Sequence, residues 1–477
     1  MSAGYTQGKV LGKALSVAEQ LLKDMDVDAV VSMLAAVLNV EYDGELKELR
    51  DMVVENRKVP DIIVLKELRD MVLEERKVPD IIVLKEQPDR FAIYGEDNIE
   101  AGARRQMEVA MTLPVTRAGA LMPDAHQGYG LPIGGVLATH NAVIPYGVGV
   151  DIGCRMALSI FDIPAIHFDE NHDKYKRELI AHTRFGAGHG FLKHERAQHA
   201  VLDNDTFNMT LFINQLKDKA YSQLGTSGGG NHFVEWGIIE FSERDEVLNI
   251  DKGNYVALLT HSGSRGMGAQ IAGHYTRLAK KICKLPQHAL NLAYLDMNTE
   301  AGQEYWLAMN LAGDYASACH EIIHRKLAKA IGGTLLAKVE NHHNFAWKEK
   351  WNGEEVIVHR KGATPAGKGV MGIIPGSMTA PGFLVRGKGL ENAINSASHG
   401  AGRLMSRTKA ISNITKQEMS AILKENKVTL IGAGLDEAPM AYKDINVVMN
   451  AQQDLVDIVA KFQPRIVRMA DDGSKED

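Results

Sequence analysis

One cysteine, one aspartate and several histidines are the residues of this sequence best suited to binding a metal ion. Asp151 and Cys154 stand at the end of an apolar stretch that begins at Ala142. Histidines occur far from them in three segments: Asn231-His232-Phe233, His261-Ser-Gly-Ser-Arg265 and Asn341-His-His-Asn344. Thiolate, carboxylate and imidazole are all transition-metal ligands, and their wide separation predicts a site that tertiary folding assembles. These donors together do not identify the metal, and zinc would fit as well.

A further histidine, His399, lies among small residues in Ser398-His-Gly-Ala-Gly-Arg403. An imidazole nitrogen can attack a nucleotide α-phosphate, expel pyrophosphate and form a phosphoramidate that passes the nucleotide on. The small residues after His399 allow the backbone to approach a phosphate closely, and Pro375-Gly-Ser-Met378 offers a second such loop. Taken alone, Cys154 and His399 also have a structural interpretation, as a buried unreactive thiol and as a turn residue.

Length and composition indicate one large enzyme domain. A chain of 477 residues could hold about three domains, but the candidate site residues run from Asp124 to His399 and must meet at one place. No apolar run approaches the roughly 18 residues that cross a bilayer. The first residues have no signal-peptide pattern, and three cysteines are too few for a disulfide framework. We therefore expect a cytoplasmic protein without membrane contact.

The net charge of -6 at first argues against a nucleic-acid partner, because phosphate binding usually shows as an excess of lysine and arginine. Local charge matters more than the total. Residues 356–410, which include His399, contain eight basic residues and a single acidic one, Glu391. This pattern predicts a basic surface beside the reactive histidine, and the alternative is an ordinary solvated basic face.

The first part of the chain differs in character, and we divide the sequence into residues 1–94 and 95–477. Apolar residues recur at helical spacing from Val10 to Met25, which predicts a small helical N-terminal region. A 19-residue segment is then duplicated in tandem, as residues 46–64 and 65–83. Two copies are too few for a solenoid, so we interpret the duplication as structural or neutral.

Beyond Arg90, short apolar stretches broken by glycine alternate irregularly with helical patterns, which favours an α+β fold over a regular parallel α/β sheet. The predicted strands are Gly134–Thr139, Val143–Val150, Tyr255–Thr260, Glu355–His359 and Gly382–Arg386. The predicted helices are Leu211–Leu224, Ala269–Lys284, Thr299–Ile331 and Asn446–Phe462.

Eight motifs make the sequence similar to the RtcB-type RNA ligases. In chain order they are Met122-Pro-Asp-Ala-His-Gln-Gly-Tyr-Gly-Leu-Pro-Ile-Gly-Gly135, Gly149-Val-Asp-Ile-Gly-Cys154, Gly230-Asn-His-Phe-Val-Glu235, His261-Ser-Gly-Ser-Arg265, Asn341-His-His-Asn344, His359-Arg-Lys-Gly-Ala-Thr364, Pro375-Gly-Ser-Met378 and Ser398-His-Gly-Ala-Gly-Arg403. The resemblance implies a single large α+β catalytic domain with a central metal-binding cleft, preceded here by the small helical region.

The resemblance also implies which residues bind metal. One Mn²⁺ would be held by Asp151, Cys154 and His232, and a second by Cys154, His261 and His343, so that the thiolate bridges two ions. His343 matches the ligand position better than His342, because it directly precedes Asn344. Manganese itself is implied by the family alone.

The nucleotide chemistry follows from the same resemblance, in which His399 would be the nucleophile that carries GMP from GTP. The implied GMP pocket consists of Asn231, Glu235, Asn344, Pro375, Gly376, Ser377, Met378, Gly400, Ala401, Gly402 and Tyr442. A carboxylate at Glu235 could accept the amino and imino protons of guanine, which adenine does not offer in that arrangement. Further candidates for phosphate-end or metal-linked contacts are Asp124, Arg265, Arg360 and Lys361.

Two positions depart from the family pattern. Arg155 follows Cys154 where many family members have glycine, and it could bind an RNA phosphate or mark a subgroup with an altered substrate. The C-terminal segment lacks the usual Val-Lys-Gly, whose lysine approaches the guanylate, and Arg468 is the candidate replacement.

The resemblance thus implies a GTP- and Mn²⁺-dependent RNA ligase of RNA repair or tRNA splicing. Such an enzyme would join 3′-phosphate or 2′,3′-cyclic phosphate ends to 5′-hydroxyl ends through a histidine–GMP intermediate, with an archease-type activator as a candidate partner. Two alternatives stay open. One is a metal-dependent phosphoesterase without the GTP step, and the other is a metal-stabilised RNA-binding subunit without catalysis.

Overall fold

The structure is a computed structural model that describes residues 81–471. The predicted helical region and all but the last residues of the tandem duplication lie outside this range. The compact unit that holds the candidate site begins at Ile81, and the backbone N–H groups of Ile82 and Lys85 donate to the carbonyls of Lys284 and Thr112. These bonds attach the segment before residue 95, where we divided the sequence, to the larger unit.

The described residues form the following elements. The strands are β1 (Ala92–Ile93), β2 (Thr116–His126), β3 (Ile133–Thr139), β4 (Ala142–Val143), β5 (Arg155–Pro164), β6 (Phe233–Phe241), β7 (Gly253–Ser262), β8 (Leu295–Asp296), β9 (Leu335–His342), β10 (Asn344–Trp351), β11 (Glu354–Lys361), β12 (Ala363–Pro365), β13 (Met371–Ile374), β14 (Gly382–Gly387), β15 (Ser396–Ser398), β16 (Thr429–Ile431) and β17 (Val456–Met469). The α-helices are α1 (Ala101–Met111), α2 (Pro145–Val148), α3 (Ala165–Glu170), α4 (His172–His182), α5 (Leu211–Gln215), α6 (Lys217–Gln223), α7 (Arg265–Ile282), α8 (Glu300–Ile331), α9 (Arg407–Asn413), α10 (Lys416–Glu425) and α11 (Ile445–Asn450).

Two large sheets form the framework of this unit. The larger has the strand order β13-β14-β17-β6-β7-β5-β9, with β16 beside β17, and the smaller has the order β1-β2-β3-β11-β10. Apart from the parallel pairs β1 with β2 and β16 with β17, neighbouring strands are antiparallel. Antiparallel sheets with separate helices, rather than repeated βαβ units, confirm the predicted α+β class.

Helix α8 is the longest helix of the unit and supports the larger sheet. Its N-terminus is capped by Thr299, whose hydroxyl accepts a hydrogen bond from Gly302 N at 3.2 Å. Gly332 ends the helix with a φ of 75°, in the left-handed region that glycine tolerates. The helix packs against α7, β5 and β7, so buried side chains such as Tyr305 and Ile322 fix the strands that carry the candidate ligands.

Most of the predicted elements are confirmed. The strands β3, β7, β11 and β14 and the helices α7 and α8 occur where the sequence predicts them. The predicted helix Leu211–Leu224 is present as two short helices, α5 and α6, that meet at Leu216. Across residues 81–471, every helix is too short or too polar to span a bilayer.

Two predicted elements are wrong. Val143–Val150, predicted as a strand, holds only the end of β4 before helix α2, because Pro145 at the first helical position favours a helix start. Asn446–Phe462, predicted as one helix, contains the end of α11 and the beginning of β17. β17 pairs with β14 on one side and β6 on the other, and the apolar run of a central strand cannot be told from a buried helix by spacing alone.

Candidate active site

Most of the predicted site residues line one cavity of about 440 Å³. Both large sheets contribute to its lining, through Cys154, Glu235 and His261 from the larger sheet region and Asn344 and Lys361 from the smaller one. The loops with Pro375 to Met378 and His399 to Gly402 complete the lining. A pocket of this size is typical of a small-molecule site.

The donor atoms of the predicted metal ligands form a continuous chain at the base of this cavity. Cys154 Sγ lies 3.1 Å from His261 Nε2 and 3.5 Å from His232 Nε2. On the far sides, His261 Nε2 lies 3.1 Å from His343 Nε2, and His232 Nε2 lies 2.9 Å from Asp151 Oδ2. The thiol therefore stands in the middle of five donors, the position that a ligand shared by two ions requires.

Strand pairing explains how ligands so distant in sequence meet. β5, which begins directly after Cys154, lies between β7 and β9, and the register places Arg155 opposite both Ser262 and His342. β6 pairs with β7 so that Phe233 lies opposite His261. Cys154, His232, His261 and His343 thus each stand within a residue of the same end of neighbouring strands. Gly153 makes the turn before Cys154, because its φ is 67° and a Cβ there would lie 2.8 Å from Gly313 Cα.

The protonation states of these groups suit metal binding. Burial lowers the pKa of His261 to about 3, and its Nδ1 donates to the carbonyl of Asn231 at 3.1 Å, which leaves the lone pair on Nε2. Burial raises the pKa of the Asp151 carboxyl, but its hydrogen bond with His232 and the charge of Arg265 outweigh this and lower the pKa to about 2. Neutral imidazoles and an ionised carboxylate are the forms that bind cations. The donor set therefore fits a divalent transition metal.

His399 lies beside this cluster, with its ring centroid 4.9 Å from that of His343. Its Nδ1 lies 2.6 Å from Asp124 Oδ2, and its backbone N donates to the same oxygen at 3.2 Å. Burial raises the pKa of Asp124, but His399 and Lys443 outweigh it and lower the pKa. An ionised Asp124 accepts a hydrogen bond from the Nδ1–H group of His399. The lone pair of the neutral ring then lies on Nε2. Asp124 is placed to orient the imidazole rather than to contact a metal.

The cavity wall near β17 carries two buried acids. Glu235 lies opposite Val467 in the β6–β17 pair, and burial raises the pKa of its carboxyl well above the usual range. Glu437 accepts a hydrogen bond from the Tyr442 hydroxyl and contacts Arg407. Burial raises the pKa of Glu437 despite the nearby arginines. Among the described residues, the buried side-chain oxygen of Asn231 has no hydrogen-bond partner, so it is available to a ligand.

Two predicted site residues lie elsewhere or serve the fold. Arg468 does not reach the cavity, because its guanidinium donates to the carbonyls of Leu179, Ile180 and Thr183 at the end of α4 and lines a different cavity. Arg360 is buried against Glu349, with N–O distances of 2.5 and 3.0 Å. Both are corrections to the sequence analysis: Arg360 was a candidate for a phosphate contact and Arg468 for a contact with the guanylate, but both side chains already bind protein groups.

Arg155 and His342 are also excluded from the site. The Arg155 guanidinium donates to Glu340 at 3.1 Å and to the carbonyl of Gly313 at 2.7 Å. The guanidinium is therefore buried among protein groups rather than open to an RNA phosphate. His342 packs against Phe345 and Trp347, with ring centroids 4.9 Å from each. Alternation along a strand explains this, because adjacent residues point to opposite faces.

Lys361 and Arg265 reach the site but contact protein groups. Lys361 Nζ donates to the carbonyls of Tyr129 and Tyr146 at 2.6 and 3.2 Å, and burial lowers its pKa to about 7. Arg265 is fully buried, with Nη1 3.0 Å from His232 Nδ1. Both side chains hold loops or ligands in place, and their phosphate contacts stay predictions.

The predicted basic surface is largely neutralised. Arg386 pairs with Asp245 at 2.6 Å and Lys388 with Asp457 at 2.9 Å. Arg403 and Arg407 do line the cavity, beside Glu437. The excess charge of residues 356–410 thus reflects ion pairs with distant segments more than an open basic face.

Sequence reasoning did not single out several polar or aromatic lining residues, among them Gln127, Tyr129, Tyr146, Arg407 and Glu437. Gln127 and Tyr129 belong to the motif that also contains Asp124, so their position beside a predicted site residue was the available signal. The other three lie outside the site motifs as we interpreted them. Only the folded chain brings them to the cavity.

Comparison with known proteins agrees with this geometry. The family model described as "tRNA-splicing ligase RtcB" matches residues 106–211 and 203–470. "RNA-splicing ligase RtcB" of Escherichia coli (strain K12) is 35% identical over 393 residues, which cover 76% of this chain and 92% of that protein. "tRNA-splicing ligase RtcB" of Nanoarchaeum equitans is 31% identical over 426 residues, which cover 75% of this chain and 89% of that protein. The motifs, the clustered ligands and these matches together show that the chain belongs to the RtcB family of RNA-splicing ligases.

Proposed function

We propose that this protein is an RNA ligase that uses GTP and two Mn²⁺ ions to join a 3′-phosphate or 2′,3′-cyclic phosphate end to a 5′-hydroxyl end, in RNA repair or tRNA splicing. The observation that carries the proposal is the pairing of His399 with Asp124 at 2.6 Å, at a cavity that is lined by His399 and by four of the five clustered donors. A histidine held in this way is a nucleophile with an oriented lone pair. A metal-stabilised binding module would not need that arrangement.

Asp151, Cys154 and His232 would hold one ion, and Cys154, His261 and His343 the other. Bound there, the ions would polarise phosphate oxygens and stabilise the charge on leaving oxygens. The protein's own part is to keep the ligands ionised or neutral as required and to fix their directions. Asn231 does this for His261, because its carbonyl accepts a hydrogen bond from Nδ1 and leaves the lone pair on Nε2.

The guanine base would lie against the buried acids of the cavity wall. Glu235 is fully enclosed, so its charge is costly unless a ligand donates hydrogen bonds to it. The amino and imino groups of guanine supply two donors on one edge, and adenine does not. Asn231, Tyr442 and the loop from Pro375 to Met378 line the same space and would form the rest of the pocket.

In each covalent step of the proposed reaction, one bond to phosphorus forms and another breaks. His399 Nε2 attacks the α-phosphorus of GTP, so that an N–P bond forms while the bond to pyrophosphate breaks. An oxygen of the RNA 3′-phosphate then attacks the same phosphorus and releases His399. Finally the 5′-hydroxyl attacks the activated 3′-phosphate, and GMP leaves. A 2′,3′-cyclic end must first be opened by water to the 3′-phosphate.

Incubation of the full chain with GTP labelled at the α-phosphate, in Mn²⁺, tests this proposal. We expect acid-labile label on the protein, no label from ATP, and release of the label as GMP when RNA ends are added. Phosphate release without protein labelling would favour the phosphoesterase instead. The absence of both labelling and phosphate release would favour the RNA-binding subunit. Phosphate release without labelling and the absence of both signals each contradict the ligase.

The Asp124 carboxylate gives a more specific prediction. Asp124→Asn keeps the shape of the side chain but removes its charge, so the imidazole loses its preference for the tautomer with the lone pair on Nε2. We expect the rate of GMP attachment to fall about 10²- to 10⁴-fold, with metal content close to wild type. Single-turnover labelling and metal analysis measure the two quantities. A labelling rate within about twofold of wild type would assign Asp124 a purely structural role.

A further inference from the structure

Tyr129 is an aromatic residue at the mouth of the catalytic cavity that none of the steps above uses. Its side chain lines the same cavity as His399, yet the residue is 70% exposed. The neighbouring lining residues Gln127 and Val150 are exposed as well. An open aromatic face beside a reactive centre is unusual, because large aromatic side chains normally bury most of their area.

The backbone around Tyr129 is held firmly while its ring stays open. Lys361 Nζ donates to the Tyr129 carbonyl at 2.6 Å and to the Tyr146 carbonyl at 3.2 Å, so one ammonium joins the two segments. Gln106 fixes the preceding residue, accepting from Gly128 N at 3.0 Å and donating to its carbonyl at 2.6 Å. The ring therefore stands on a preorganised loop, as a recognition surface requires.

A second ring and two cations lie next to Tyr129. The centroid of Tyr146 is 6.3 Å from that of Tyr129, and the two ring planes differ by 31°. Lys361 Nζ and Lys280 Nζ lie 5.0 and 5.4 Å from the Tyr146 centroid. The two lysine side chains lie over the Tyr146 ring, whereas the Tyr129 ring is open to solvent. Positive charge beside an open ring matches a ligand that combines a flat base with a phosphate.

We propose that Tyr129 is the stacking platform for the base of the terminal nucleotide at one of the two RNA ends. This inference rests on the proposed ligase function and adds how an RNA end is oriented on its way to His399. Stacking on an aromatic face needs no particular base sequence, because every base has a π-face. A platform of this kind would therefore let the enzyme accept ends of different sequence while Lys280 attracts the adjacent phosphate.

Tyr129→Ala tests the platform, with Tyr129→Phe as the matched control that keeps the ring and removes the hydroxyl. We expect the alanine variant to raise the KM for a 3′-phosphate RNA roughly 5- to 150-fold, the range for loss of one stacked base. GMP attachment to His399 and the KM for GTP should stay within about twofold of wild type. The phenylalanine variant should behave like wild type in both steps.

RNA ends that lack one terminal base provide a second test of the stacking platform. If the platform holds a base, the difference between wild type and Tyr129→Ala should vanish with an end that is abasic at the 3′-terminal or at the 5′-terminal nucleotide, and the position identifies which end is held. An unchanged difference with both abasic ends would overturn the proposal. So would a phenylalanine variant as defective as alanine, or a defect confined to the KM for GTP.

Direct binding separates this inference from the proposed function. Fluorescence anisotropy with a labelled 3′-phosphate RNA, without GTP, measures the platform even if wild-type protein forms no GMP adduct. We expect weaker binding by Tyr129→Ala than by Tyr129→Phe in that experiment. If no GMP adduct forms but the alanine variant still binds RNA more weakly than the phenylalanine variant, the ligase function is contradicted and the platform is supported. Equal RNA affinities of the two variants would refute the platform, whether or not a GMP adduct forms.

Discussion

His399→Ala should abolish both attachment of GMP to the protein and joining of RNA ends, with a loss of at least about 10⁴-fold. The reason is that His399 has its Nδ1 held by the Asp124 carboxylate, whereas the histidines of the donor cluster are engaged with the other metal ligands. The Nε2 atoms of His232, His261 and His343 face Cys154, Asp151 or one another within the donor cluster. Labelling with α-phosphate-labelled GTP and a gel-based joining assay measure the two steps.

Metal content is the control for this substitution. His399 is not among the proposed ligands, so the alanine variant should bind as much Mn²⁺ as wild type and keep its fold. An RNA that already carries GMP on its 3′-phosphate should still be joined by the variant, because the last step does not use the His399 nitrogen. Joining of ordinary 3′-phosphate ends at the wild-type rate would refute the proposed nucleophile.

Cys154→Ala should have the largest effect on metal binding. Cys154 Sγ is the central atom of the donor chain, with His232 Nε2 on one side and His261 Nε2 on the other. Removing a shared thiolate weakens both sites, whereas His232→Ala or His261→Ala removes a ligand from one. We therefore expect the cysteine variant to lose more than half of its bound Mn²⁺ and nearly all joining activity, measured by metal analysis after dialysis.

Cys283→Ala is a matched control for the loss of a thiol. Cys283 is also buried, but it packs in the apolar core and burial raises the pKa of its thiol. This substitution should leave metal content and activity unchanged and lower stability by about 1 kcal/mol. A Cys154→Ala protein that retains the full wild-type metal content would exclude the bridging role.

The secondary structure illustrates where sequence patterns are informative. The helical pattern of Thr299–Ile331 predicted α8 almost to the residue, because a long apolar periodicity is a local signal. The segment Asn446–Phe462 misled us because its apolar residues fit a helix as well as a strand. Its pairing with β14 and β6 is a contact between distant segments. Such contacts override local preference, and one sequence does not display them.

The sequence by itself determined the chemical inventory of this protein: the motifs around Cys154, His261 and His399 predicted the ligands and the nucleophile, and the structure brings these residues into one cavity. Only the tertiary structure decided which charged residues face that cavity. Arg360 and Arg468 look equivalent to site residues in the sequence but are held by protein groups elsewhere. The tertiary structure likewise placed Asp124 beside His399 and Tyr129 at the mouth of the cavity. Residue type fixes what a side chain can do, whereas its partners and its direction depend on how distant strands and loops pack against one another.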